Sequence, residues 1–154
     1  MAIRPRVLVS TTSHNGRRAD AFATLMVTLA ENGFDGVAGD AHLRQEAEAV
    51  LAQAFPAGMP LEMLRRGMER PNLARANAWR ACIGFSTKDR LAELRCRTLV
   101  AHGTGDMLIP FRAGELVAQA IPGATWVVEE GAGHSLPQER AESFNRALLA
   151  LLSA

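Results

Sequence analysis

Residues 98–106 read Thr-Leu-Val-Ala-His-Gly-Thr-Gly-Asp, and residues 124–134 read Ala-Thr-Trp-Val-Val-Glu-Glu-Gly-Ala-Gly-His. Each stretch is a short apolar run that breaks at glycines and then offers one titratable side chain, Asp106 in the first and His134 in the second. Short apolar runs without polar alternation are the pattern of parallel strands covered on two faces. Between them, Pro110 opens and Pro122-Gly123 closes a segment of helical spacing at about 111–120, and another such segment runs over about 137–152. Strand, helix, strand, helix predicts an α/β arrangement, in which chemistry collects beyond the carboxyl ends of the strands. Asp106 and His134 stand at that place on two strands, and adjacent strands would bring them together.

Working outward, Arg6 to Thr12 reads as a further buried strand, bounded by Pro5 and by His14-Asn15-Gly16. Phe22, Leu25, Met26 and Leu29 recur at helical spacing and Asn32-Gly33 supplies a stop, so 17–31 is a helix. Asp40 is a candidate N-cap for a second helix carrying Leu43, Ala47, Val50, Leu51 and Ala54. Pro60 starts a third with Leu61, Leu64 and Met68, and Leu73 to Ile83 forms a fourth that ends at Gly84. Ser86-Thr87 can cap a short helix through Leu94. The chain thus divides into 1–16, a first strand and turn; 17–85, an all-helical block; and 86–154, a second α/β segment. About three parallel strands joined by right-handed crossovers would leave the first strand with an open hydrogen-bonding edge, which predicts a partner there, a second copy or a complementing chain.

Composition bounds the function. The 154 residues are 48% hydrophobic and 21% charged, as in an ordinary globular domain able to bury a core without disulfide or metal staples. With 17 basic against 16 acidic residues there is no basic stripe, which excludes the usual nucleic-acid binder. No run approaches the 18 apolar residues of a membrane span, and the Val7–Val9 stretch is too short for a secretory leader. Cys82 and Cys96 lack zinc-site spacing and are read as buried thiols of a reducing compartment, so a cytoplasmic location is expected.

The segment from about Asp89 onward, with Thr-Leu-Val-Ala-His-Gly-Thr-Gly-Asp-Met-Leu-Ile-Pro, then Ile-Pro-Gly-Ala and Gly-Ala-Gly-His, resembles the last third of the α/β-hydrolase fold family. It is similar to that family's seventh strand with its acid turn, its eighth strand with its histidine loop, and its final helix. The first strand and the helical block are similar to the sixth strand and cap of the enol-lactonase-like branch. The resemblance implies a partial α/β-hydrolase fold with an inserted helical cap, acting on a small-molecule ester or lactone without a cofactor. It implies Asp106 as the acid that orients the imidazole and His134 as the general base, in the family's chain order. It also implies Trp79 and Met68 as substrate-lining residues of the cap.

Two departures stand out. No G-x-S-x-G occurs, and the nearest approach, Gly84-Phe85-Ser86-Thr87-Lys88, lacks the final glycine and a preceding strand, so Ser86 reads as a helix cap rather than a nucleophile. Arg97 stands where the family usually has proline. The oxyanion donors of the family also belong to segments this sequence does not contain. The expected function is therefore the acid-and-histidine part of a serine-type hydrolase, inactive alone, or else a non-catalytic module that pairs through its first strand. His14 and His42 read as solvated and His102 as a neighbour of the acid loop. Asp106 and His134 by themselves are too few ligands for a closed metal site.

Overall fold

The computed structural model describes residues 5–12, 15–36, 40–43, 45–46, 49 and 70–153. It divides into two compact units, one of residues 1–14 with 86–154 and one of residues 15–85.

In the first unit, three strands, β1 (Arg6–Val9), β2 (Thr98–Gly103) and β3 (Thr125–Glu129), form a parallel sheet in the order β1-β2-β3. Leu8 lies opposite Val100, and Ala101 opposite Val127. Only the central strand meets the expectation of burial on both faces. Every residue of β2 is buried, whereas β1 and β3, each an edge, are half exposed. The side-chain alternation of β2 sends Val100 to one face, where it packs with Leu91, Val117 and Ile121, and Ala101 to the other, with Ala132 and Leu136. Leu99, Ile121 and Leu136 are fully buried, each contributing about 2 kcal/mol of apolar transfer free energy.

The helix after β2 spans Phe111–Ala120, where the Pro110 signal placed it. The C-terminal segment expected as one helix is two, Leu136–Glu139 and Ala141–Ser153. Arg140 breaks it, leaving helical geometry while its guanidinium donates to the carbonyls of Glu139 and Glu130. The short helix before β2 is a 3-10 turn over Lys88–Glu93.

In the second unit, a helix over Arg17–Gly36 breaks at Gly33, whose φ of 71° is left-handed, so the Asn32-Gly33 stop acts as a kink. Its buried face carries Ala23, Met26, Leu29 and Ala30. A further helix, Leu73–Arg80, is capped by the Asn72 side chain, which accepts the Arg75 N–H at 2.9 Å. The Asn72 N–H in turn donates to the Ala30 carbonyl, and Arg80 pairs with Glu31, so the two helices are held together by polar ends as well as by packing. Leu43 donates its N–H to the Asp40 carboxylate at 3.0 Å, in keeping with Asp40 as a cap. Most of the expected second helix and all of the Pro60 helix lie outside the described residues. No helix among the described residues is long and apolar enough to cross a membrane.

Ser10, just past β1, has φ 44°, the only positive φ at a non-glycine residue among those described. Its N–H continues the strand pairing by donating to the Ala101 carbonyl at 3.0 Å, while its buried hydroxyl finds no partner among the described residues. A left-handed L-residue costs about 1–2 kcal/mol, against which glycine loses about 0.5–1 kcal/mol in chain entropy. Ser10→Gly is therefore expected to exceed Ser10→Ala in stability by about 0.5–1 kcal/mol in chemical denaturation. Equal midpoints for the two variants would show that no strain is stored there.

Candidate active site

The acid turn after β2 and the histidine loop after β3 are in direct backbone contact. A Cβ on Gly103 would sit 2.1 Å from the Ala132 carbonyl oxygen, so only glycine permits this approach. Hydrogen bonds stitch the two loops along their length: the N–H of Thr104 to the Glu129 carbonyl at 3.0 Å, that of Gly105 to the Ala132 carbonyl at 2.9 Å, and that of Gly131 to the Thr104 hydroxyl at 2.8 Å. The Glu139 carboxylate takes the N–H of Gly133 at 2.7 Å and fixes the residue immediately before His134.

This framework brings Asp106 and His134 together. The Asp106 side chain is wholly buried, and its Oδ1 accepts the N–H groups of Leu108 and Ile109, each at 2.9 Å. Its Oδ2 lies 3.0 Å from Nδ1 of His134 and 3.3 Å from Nε2 of His102. Burial pushes the carboxyl up, but the hydrogen bonds from His102, His134 and the Ile109 N–H, with the charge of His134, outweigh it. The carboxyl is held well below the ordinary aspartate value of about 3.9. An ionised carboxylate only accepts, so Nδ1 of His134 carries the proton that faces it; in the neutral ring Nε2 is then the nitrogen without a proton, on a side chain that is 29% exposed. A buried acid behind a partly exposed imidazole is an arrangement that can take a proton from a hydroxyl or water and return it.

Trp79 belongs to the helical unit, where its ring meets Phe22 edge-on at 5.4 Å, and Met68 lies outside the described residues. His42 is exposed beside Glu46, 3.5 Å away. Among the described residues no group of three or more His, Cys, Asp or Glu side chains gathers as a metal site. Sequence reasoning placed His102 beside the acid loop but gave no signal for its bond to Asp106. It also missed Gly114, where a Cβ would lie 2.1 Å from Nδ1 of His102. A glycine inside the apolar helical segment 111–120 was the one clue available.

Comparison with known proteins bears on the family and the fold. The sequence profile of the alpha/beta hydrolase family matches residues 1–147. A curated relative, the carbamate hydrolase RutD of a Caulobacter species, is 31% identical over 87 residues, which are 56% of this chain and 32% of that protein. The crystal structure of a hydrolase from Pseudomonas aeruginosa superposes with a TM-score of 0.73 at 24% identity, covering 96% of this chain and 55% of that one. The enol-lactonase from Burkholderia xenovorans gives 0.65 at 23% identity, covering 99% and 57%. These structural likenesses show a shared fold, and the chain spans about half the length of those solved structures.

The depressed acidity of Asp106 fixes the sign of a stability effect. A carboxyl whose pKa is lowered on folding adds stability above its unfolded value of about 3.9, and that stability is lost as pH falls toward the folded value. Asp106→Asn should be less stable than the native chain by about 2 kcal/mol at pH 7. The gap should narrow steadily below about pH 4. Urea denaturation across this range measures it, and a gap independent of pH would refute the ionised, hydrogen-bonded state of Asp106.

Proposed function

The chain belongs to the alpha/beta hydrolase family, and from that premise we propose that it supplies the acid and the general base of a serine-type hydrolase for an ester or lactone. The observation that carries the reading is the 3.0 Å bond from Nδ1 of His134 to the buried Asp106 carboxylate. In this reading the Nε2 atom of His134 takes the proton of a serine hydroxyl as its oxygen attacks the substrate carbonyl, and Asp106 stabilises the imidazolium that results. His134 then gives that proton to the departing alkoxide, and a water repeats the cycle on the acyl-enzyme. The attacking serine belongs to a G-x-S-x-G turn, which this sequence does not contain, so the chain alone contributes the proton-handling half of the machinery. Ester or lactone substrates fit this chemistry, and the enol-lactonase among the structural neighbours is in keeping with it. The residues to vary first for acyl selectivity are Trp79 and Met68. The cytoplasm is the compartment this reading assigns.

The experiment combines a fluorophosphonate probe with a chromogenic ester. The isolated chain is expected to remain unlabelled and to hydrolyse the ester no faster than buffer. Labelling together with turnover that survives His134→Ala would overturn the assignment of the base.

A second reading rests on the edge of the sheet. Among the described residues β1 pairs with β2 alone. The N–H groups of Arg6 and Ser10 point toward β2, donating to the carbonyls of Arg97 and Ala101, so the strand alternation turns those of Val7 and Val9 toward the open side. A non-catalytic module would use this edge to add a strand from a second copy. Sedimentation would then show a dimer for the native chain and at least a tenfold weaker one for Val7→Pro, which deletes an outward donor without touching the pairing to β2. A monomeric native chain overturns this reading.

A further inference from the structure

His102 is fully buried on β2, and the mechanism just described makes no use of it. Its Nε2 lies 3.0 Å from the Ile109 carbonyl oxygen and 3.3 Å from Oδ2 of Asp106. A carbonyl and an ionised carboxylate both only accept, so Nε2 must carry the proton and share it between them. The ring cannot easily leave this place. Phe111 stands edge-on at 6.0 Å and Trp126 tilted at 6.4 Å, while Gly114 passes so close to Nδ1 that any side chain there would displace the imidazole. Nδ1 itself has no hydrogen-bond partner among the described residues, so the polar reach of the ring is directed wholly at the acid turn.

We propose that His102 is a positioning residue for the Asp106–His134 pair. By donating one N–H to both Ile109 and Asp106 it locks the turn that carries the carboxylate and occupies one lone pair of the oxygen that holds His134. Two backbone N–H groups occupy Oδ1, so His134 is left a single defined direction in which to bond. The titratable groups seen to face this carboxylate are His102 from β2 and His134 from the loop after β3. Sharing the negative charge with a buried donor also keeps the carboxyl from taking up a proton when the site is dry. The inference rests on reading Asp106 and His134 as acid and base, yet its readout needs no turnover.

Carbon-13 NMR of the Asp106 carboxyl and nitrogen-15 NMR of the histidine rings provide the test on the full chain. His102→Leu removes the donor at similar volume, and the Asp106 carboxyl should bind a proton at least about tenfold more readily than in the native chain, a shift of about one pH unit. His102→Gln, whose amide N–H can replace the donor, should restore most of the native behaviour. Should the leucine variant not fold, Gly114→Ala pushes the same ring away and should shift the carboxyl in the same direction. A histidine that merely fills space would lower stability without moving the carboxyl signal, so a leucine or alanine variant whose carboxylate stays ionised to the same pH as the native chain overturns the proposal. A native chain in which neutral His134 carries its proton on Nε2 would instead overturn the acid–base pair itself.

Discussion

The close approach of Gly103 to the carbonyl of Ala132 is the constraint from which the rest of the site follows. Two loops leaving neighbouring parallel strands normally diverge, because side chains at the strand ends keep them apart. Here the missing Cβ lets one backbone rest on the other, and the N–H groups of Thr104, Gly105 and Gly131 are satisfied across the contact rather than by water. Residues far apart in sequence thereby become rigid neighbours, and the spacing between Asp106 and His134 is set by backbone geometry rather than by flexible side chains. That kind of support is what a proton-transferring pair requires, since errors of an ångström are costly in such sites.

A buried carboxylate is the second element, and it is stable only because every direction around it holds a donor. Removing an ion from water costs several kcal/mol even after relaxation. Four hydrogen bonds offset that cost: the two backbone N–H groups of the turn and the two imidazoles. They come from a strand, a turn and a loop, so folding of the sheet and ionisation of Asp106 are coupled. The chain cannot form the pair loosely, because each missing donor would leave charge unpaired in a dry place.

Much of this was legible in the residues. The apolar runs at 98–102 and 124–128, the prolines at 110 and 122, and the glycines around Asp106 and His134 place strands, helix and loops close to where they are found, because each signal is local. What was not legible depends on tertiary contact. Uniform apolar character made β3 look as covered as β2, yet among the described residues only the central strand has neighbours on both edges. The break at Arg140 follows from a guanidinium reaching back to Glu130, and no periodicity encodes that reach. His102 could be placed beside the acid turn but not given its bond, because the direction of an imidazole on a buried strand is decided by Gly114, Phe111 and Trp126, which come from the next helix and strand. Ser10 escaped notice because nothing in the Val-Leu-Val-Ser run signals a left-handed backbone.

Once Asp106 is buried and ionised, His134 is one of the donors that make the buried charge tolerable. Loss of either histidine removes a donor from the buried carboxylate and is therefore felt in folding. The spacing of Asp106 and His134 is thus held by the same bonds that hold the two loops to the sheet.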